Sequence, residues 1–123
     1  MSRIYHITSA ARWYDAQNVK EYIPPNFSQE QFIHCSYSYQ LLTVAHRFYR
    51  GQSGLVILVI ESSKINSSLI EENLEGGIEL YPHLYGVLPI QAVVRAIAMR
   101  SESFRAFPCN ADGSFDLPEE LNV

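Results

Sequence analysis

Leu55-Val56-Ile57-Leu58-Val59-Ile60 is the stretch that decides the fold: six apolar residues in a row, four of them β-branched, between Gly54 and Glu61. Successive side chains of a strand point to opposite faces, so a strand that is apolar throughout must be covered on both. The run therefore belongs at the centre of a sheet with packing above and below. It is also the longest apolar run in the chain, and far too short to span a bilayer.

Upstream, Arg3 to Thr8 reads as another strand, rich in β-branched and aromatic residues. Thr8 or Ser9 is placed to cap a helix running to about Asn18. Tyr22 to Pro25 is extended, because a residue before proline avoids helical angles. Ser28-Gln29-Glu30 makes a short turn, and Phe32 to Ser36 reads as a strand. Ser38 to Arg50 is the clearest helix. Leu41, Val44, Ala45 and Phe48 form its apolar face, Gln40, Thr43, Arg47 and Arg50 face water, and Gly51 stops it.

Downstream, Leu69 to Glu72 suits a strand before a Gly76-Gly77 turn. Tyr81 to Gly86 reads as a loop, since Pro82 removes a backbone donor and Gly86 permits unusual angles. Val93 to Met99 reads as a strand, with a helix starting after Pro89 as its rival. From Phe104 onward an irregular tail is expected, with Asp112-Gly113 as a turn. The sum is an α+β chain with two main helices and a single domain over residues 1–123.

Composition sets limits on function. The 47% hydrophobic content and 18% charge predict a proper core, which at 123 residues buries about two-thirds of the unfolded surface. A net charge of −4 without any Lys/Arg run speaks against a surface that tracks nucleic acid. The two cysteines, Cys35 and Cys109, lack metal-type spacing and suit a reducing compartment, with a single disulfide left open. The chain starts on a strand pattern without a basic and apolar leader, so a cytoplasmic protein with no membrane association is expected.

The functional lead is histidine. Three of the four histidines sit in apolar and aromatic settings: Ile4-Tyr5-His6-Ile7-Thr8, Phe32-Ile33-His34-Cys35-Ser36 and Tyr81-Pro82-His83-Leu84-Tyr85-Gly86. Histidine titrates near neutral pH and exchanges hydrogen bonds, so three of them brought together would line a polar cleft. On strands, His6 points with Ile4 and Thr8, and His34 with Phe32 and Ser36. Cys35 points away from His34, which makes a thiol–imidazole pair geometrically poor and Cys35 a core residue. Ser36 stands roughly 7 Å from His34 along the strand, a spacing for gripping one ligand together. No Gly-x-Ser-x-Gly elbow marks a serine hydrolase. Glu71, Glu72, Glu75 and Glu79 precede the third histidine, with one expected to enter the cleft. His46 reads as structural or surface. A three-histidine metal site is an alternative, although no His-x-His or His-x-x-x-His pair supports it.

The same segments, with Trp13 and Tyr22, resemble the family called domain of unknown function 952, over Ile4 to about Val94. Its pattern has glycine where this chain has Gln31, and phenylalanine where it has Tyr81. The resemblance implies an ADP-ribosyltransferase-like fold, a curved and split β-sheet whose cleft takes NAD or an ADP-ribose-like group. By that resemblance His6 would hold a ribose hydroxyl, and His34 would sit in the second motif. Glu72, with Glu79 as rival, would steady the sugar cation that forms as a nicotinamide–ribose bond breaks. Thr8, Ser36, His83 and Gly86 would line the ligand, and Tyr81 or Tyr85 would stack on its ring. NAD would then be a substrate and not a resident cofactor. A non-catalytic binding module for a nucleotide or other small metabolite is the alternative reading of the same cleft.

Overall fold

A computed structural model describes residues 3–73 and 78–98 of the chain. In it β4 (Leu55–Glu61) runs between β1 (Arg3–Ser9) and β8 (Val93–Ala98), antiparallel to both. The alternation inferred from its all-apolar sequence is realised residue by residue. Leu55, Ile57 and Val59 pack against Leu41, Val44 and Ala45 of α3 (Leu41–Phe48), while Val56, Leu58 and Ile60 face a second core built on Ala16, Tyr22, Ile33, Leu84 and Leu88. Leu58 has no exposed surface, and truncating it to alanine should cost about 3 kcal/mol. β1 divides in the same way. Tyr5 and Ile7 enter the α3 core, and Ile4 enters the other.

α1 (Ala10–Val19) follows β1 directly. Ser9 is its N-cap, accepting a hydrogen bond from the Arg12 backbone N–H at 3.1 Å, and Lys20 closes it in a left-handed conformation. β2 (Glu21–Tyr22) pairs with β7 (Leu88–Pro89). A single helical turn, α2 (Phe27–Glu30), ends at Gln31, whose φ of 69° lies in the left-handed region. Glycine adopts that conformation without strain, which explains the glycine expected before Phe32 and shows that Gln31 holds the same turn.

The remaining sheet has the order β3-β6-β5, from β3 (Ile33–His34), β6 (Tyr81–Tyr85) and β5 (Ser68–Glu72). The segment read as a loop, Tyr81 to Gly86, is thus the central strand of this sheet up to Tyr85. Pro82 is tolerated because only its carbonyl is used, accepting the Cys35 N–H at 2.9 Å. It has no N–H to return, so the ladder with β3 stops after two residues. Gly86 is required for close approach: a Cβ there would lie 2.1 Å from Ser67 Oγ. Beyond β3 the chain touches β1 once more, through reciprocal backbone bonds between Tyr5 and Ser36 of 2.8 and 2.7 Å.

Among the described residues the architecture is α+β with three antiparallel sheets, where a curved split sheet was expected. In the Ser38 to Arg50 region, a 3-10 turn (Ser38–Gln40) precedes α3. Gln40 does not face water. It is 2% exposed, its amide donating to Glu79 Oε1 and the Leu80 carbonyl. Phe48 is 43% exposed, because it borders a cavity. The Gly76-Gly77 turn, Glu75, Cys109 and the tail from Phe104 with its Asp112-Gly113 turn lie outside the described residues. Among the described residues no helix is long and apolar enough to cross a membrane.

Candidate functional site

The register of the third sheet builds the site. His34 stands directly opposite His83 across β3 and β6, and Ile70 of β5 stands opposite His83 on the other side. Residues paired across a ladder share a face, and diagonal neighbours remain within reach of long side chains. His34, His83, Glu72, Tyr81 and Tyr85 therefore project from one face of the sheet, while Ile33, Cys35 and Leu84 are buried on the other.

On that face three side chains form a continuous chain of hydrogen bonds. Glu72 Oε1 lies 3.0 Å from His83 Nδ1 and accepts the Tyr85 hydroxyl at 2.5 Å. His83 Nε2 is 3.1 Å from His34 Nδ1. The Tyr85 and His83 bonds hold the Glu72 carboxyl below the usual carboxylate range, so it is ionised at neutral pH and accepts from His83 Nδ1–H. With Nδ1–H of His83 donated to Glu72, its Nε2 lone pair accepts from His34 Nδ1–H. In this tautomer His34 Nε2 keeps a free lone pair. That atom is buried and has no partner among the described residues. Burial, with the neighbouring His83, His6 and Arg47, pulls the His34 pKa down to about 4.

His6 is different. Its Nδ1 lies 2.6 Å from the His34 carbonyl oxygen, which only accepts, so Nδ1 carries the proton. Burial lowers the ring's pKa to about 4, and the neutral ring accepts at Nε2 from the Tyr22 hydroxyl, 2.9 Å away. Thr8 Oγ1, 2.8 Å from the Tyr22 oxygen, completes the set as donor to Tyr22. Burial pushes the Tyr22 hydroxyl up to about 12, which keeps the whole group uncharged. Both nitrogens of His6 are thus satisfied within the protein. The ring ties β1 to β3 and to β2.

Two adjoining cavities open over these residues. One, of about 470 Å³, is bordered by His34, His83, Phe32, Val44 and Phe48. The other, of about 400 Å³, is bordered by His6, Thr8, Arg12, Tyr22 and Gln52. Asn26, Glu30, Phe32, His34 and Tyr49 border both, so they form the waist of one cleft. The three histidines of the sequence motifs do come together on this cleft, each in a different role.

Other sequence candidates are placed elsewhere. Glu72 borders neither cavity and reaches the cleft only through His83. Glu71 is held by the Tyr37 hydroxyl at 2.5 Å, and Glu79 by Gln40. Ser36 is buried in the link to Tyr5. Tyr81 packs beside His34 with ring centres 5.1 Å apart, and Tyr85 is engaged by Glu72. Neither borders either cavity; Phe32 borders both and lies nearly parallel to His83, with ring centres 4.2 Å apart. Cys35 is fully buried, and burial raises its thiol to about 12, as befits a core residue. His46 borders neither cavity. Among the described residues no group of three or more His, Cys, Asp and Glu side chains is arranged to hold a metal ion.

Sequence reasoning missed Arg12, Asn26, Glu30, Phe48 and Tyr49 as cleft residues, whereas strand parity had placed Phe32 on the face of His34. Arg12, Asn26 and Glu30 were legible only as exposed or helix-flanking residues, and no spacing rule links them to the histidines.

Comparison with protein families matches residues 7–96 to the family described as "Protein of unknown function (DUF952)". The chain belongs to this family. The DUF952 chain is similar to protein CC0527 from Caulobacter crescentus. It is 29% identical to the crystal structure at a TM-score of 0.80, over 99% of this chain and all of that one. Against the solution structure of CC0527 the identity is 30% and the TM-score 0.77, over 98% and 97%. Comparison with curated proteins gives no match.

Proposed function

We propose that this DUF952 chain binds a nucleotide of the NAD or ADP-ribose type in the cleft and cleaves it, with His34 as the acid–base residue. The observation that carries the reading is the hydrogen-bonded chain Glu72–His83–His34, whose last ring borders the waist of the cleft and has a buried Nε2 without a partner among the described residues.

A lone imidazole with so low a pKa is a weak base. The chain changes that. When His34 Nε2 takes a proton, Nδ1–H passes to His83 Nε2, and the positive charge comes to rest 3.0 Å from the Glu72 carboxylate. His34 stays neutral throughout. Opposite charges at that distance in a partly buried site stabilise the charge-separated state. General base catalysis of this kind contributes on the order of 10²–10⁴-fold.

Applied to NAD and water, the C1′–nitrogen bond breaks, nicotinamide leaves neutral with the electron pair, and water oxygen bonds to C1′. The water proton goes to His34 Nε2. His6 here is a positioning residue that holds the His34 backbone, not a ribose ligand. Support for the nucleotide class comes from the resemblance to the ADP-ribosyltransferase-like fold, the cleft's aromatic wall and its size, which suits a small ligand. A cytoplasmic location belongs to the same proposal.

The test joins binding and turnover. Wild type is unfolded thermally with excess NAD and with excess ADP-ribose, and nicotinamide release is followed separately. A ligand at about 100 times its dissociation constant adds roughly 2.7 kcal/mol, so a clear rise in midpoint is expected, with release that His34→Gln lowers on the order of 10³-fold. A rise without release in wild type would leave a binding module. No rise with either nucleotide would end the nucleotide reading.

A further inference from the structure

The two lobes of the cleft differ in the side chains that border only one of them. Arg12 borders the 400 Å³ cavity and not the 470 Å³ one, and on its other side it borders a smaller cavity of about 220 Å³ with Asp15 and Glu21. Its guanidinium forms no ion pair among the described residues, although its charge is felt by Tyr22. Val44 and Phe48 border only the 470 Å³ cavity, where the wall is aromatic and aliphatic. Between them, at the shared waist, stand Glu30 and His34. Glu30 is joined to Asn26, whose amide donates to its Oε1 at 2.6 Å, and its charge reaches Tyr49.

We infer that the cleft accepts a nucleoside phosphate in a single orientation, with the phosphate at Arg12, the sugar at Glu30 and His34, and the base between Phe48 and Phe32. This inference rests on the nucleotide reading above and sharpens it. An arginine suits a phosphate because its planar donors match phosphate oxygens in pairs. A carboxylate suits a vicinal diol, since it accepts from both hydroxyls and repels phosphate from the waist. The apolar lobe takes the one part of the ligand that has flat, poorly hydrated faces. This order places the glycosidic carbon beside His34 and the phosphate beside the arginine. It also gives Glu30 the role that the sequence resemblance assigned to Glu72, a carboxylate facing the sugar where positive charge develops.

The half of NAD that fits is the mononucleotide carrying nicotinamide, so the probes are nicotinamide mononucleotide and nicotinamide riboside, which differ only by the phosphate. Both are titrated calorimetrically into wild type, Arg12→Gln and Glu30→Gln, with thermal unfolding of each variant as a check on folding. Both side chains are exposed, so the variants should fold. Wild type is expected to bind the mononucleotide at least tenfold more tightly than the riboside. Arg12→Gln should remove that preference and leave riboside binding unchanged, while Glu30→Gln should weaken both ligands alike. A preference that survives in Arg12→Gln overturns the inference. Equal binding of the two by wild type also overturns it, yet leaves the nucleotide reading intact because a ligand is still held. Failure of wild type to bind either probe or NAD overturns both.

Discussion

His6 and His34 sit on the same cleft and are both held neutral by burial, with pKa values lowered to about 4. Their hydrogen bonds separate them. His6 has a partner at each nitrogen, the His34 carbonyl and the Tyr22 hydroxyl. Among the described residues the His34 ring has one hydrogen-bond partner, His83, and one nitrogen with none. A buried imidazole satisfied at both nitrogens joins strands and gains nothing by titrating. One that keeps a free lone pair, backed by a second imidazole and a carboxylate, is poised to exchange a proton. Burial alone does not distinguish these roles; the count of partners does.

The comparison is open to direct attack. Its largest consequence is kinetic. His34→Gln should lower nucleotide turnover on the order of 10³-fold, about 4 kcal/mol of barrier. In urea denaturation the same variant should stay within about 1 kcal/mol of wild type, because it removes no fully satisfied group. A large stability loss in His34→Gln would erase the contrast with His6.

His6→Ala should do the opposite. It strands the Tyr22 hydroxyl and the His34 carbonyl in a buried setting, at a cost of about 3 kcal/mol in urea denaturation. A pH signature accompanies it. The unfolded ring protonates near 6.5 and the folded ring near 4, so the unfolded state binds the proton first as pH falls. Stability from His6 is therefore complete above pH 6.5 and lost progressively down to pH 4, by on the order of 3 kcal/mol. His34 titrates with the same sign. Denaturation curves at pH 7, 5.5 and 4.5 should steepen this loss in wild type relative to His6→Ala; equal slopes would show that His6 is not held neutral by the fold.

Tyr22→Phe sharpens the comparison by removing one partner of His6 and leaving the ring. A loss of about 1–2 kcal/mol is expected, and in combination with His6→Ala much less than the sum, since both act on one network. The smallest effect belongs to Tyr85→Phe. It deletes one of two donors to Glu72, and Glu72 reaches the cleft only through His83. A few-fold fall in turnover, with the acid limb of the pH–rate profile moved upward, is expected. An unchanged profile would mean that Glu72 plays no part in the relay.

Parts of this were legible without coordinates. The β4 run fixed its own position, because six apolar residues cannot face water on either side of a strand. The period of α3 marked Leu41, Val44 and Ala45 as core, and Ser9 marked the start of α1. Strand parity correctly set Cys35 on the buried side away from His34. Three histidines in aromatic segments were enough to point to one cleft. Each of these follows from local geometry repeated along the chain, which is what a sequence contains.

The rest required the fold. That Tyr81–Tyr85 is a central strand depends on Pro82 meeting β3 where only a carbonyl is needed, a fact of register that no proline rule supplies. Glu72 was distinguished from Glu71 and Glu79 by a diagonal across β5 and β6, and Gln40 was drawn inward by Glu79 and the Leu80 carbonyl. Arg12 and Glu30 came to the cleft from helix ends 18 positions apart. Above all, the different fates of His6 and His34 are set by which atoms lie within 3 Å of each nitrogen. The sequence marked three histidines as candidates for one cleft in a packed α+β chain. Tertiary structure decided which one was left with a lone pair to use, because hydrogen-bond satisfaction depends on distances between segments that are remote in sequence.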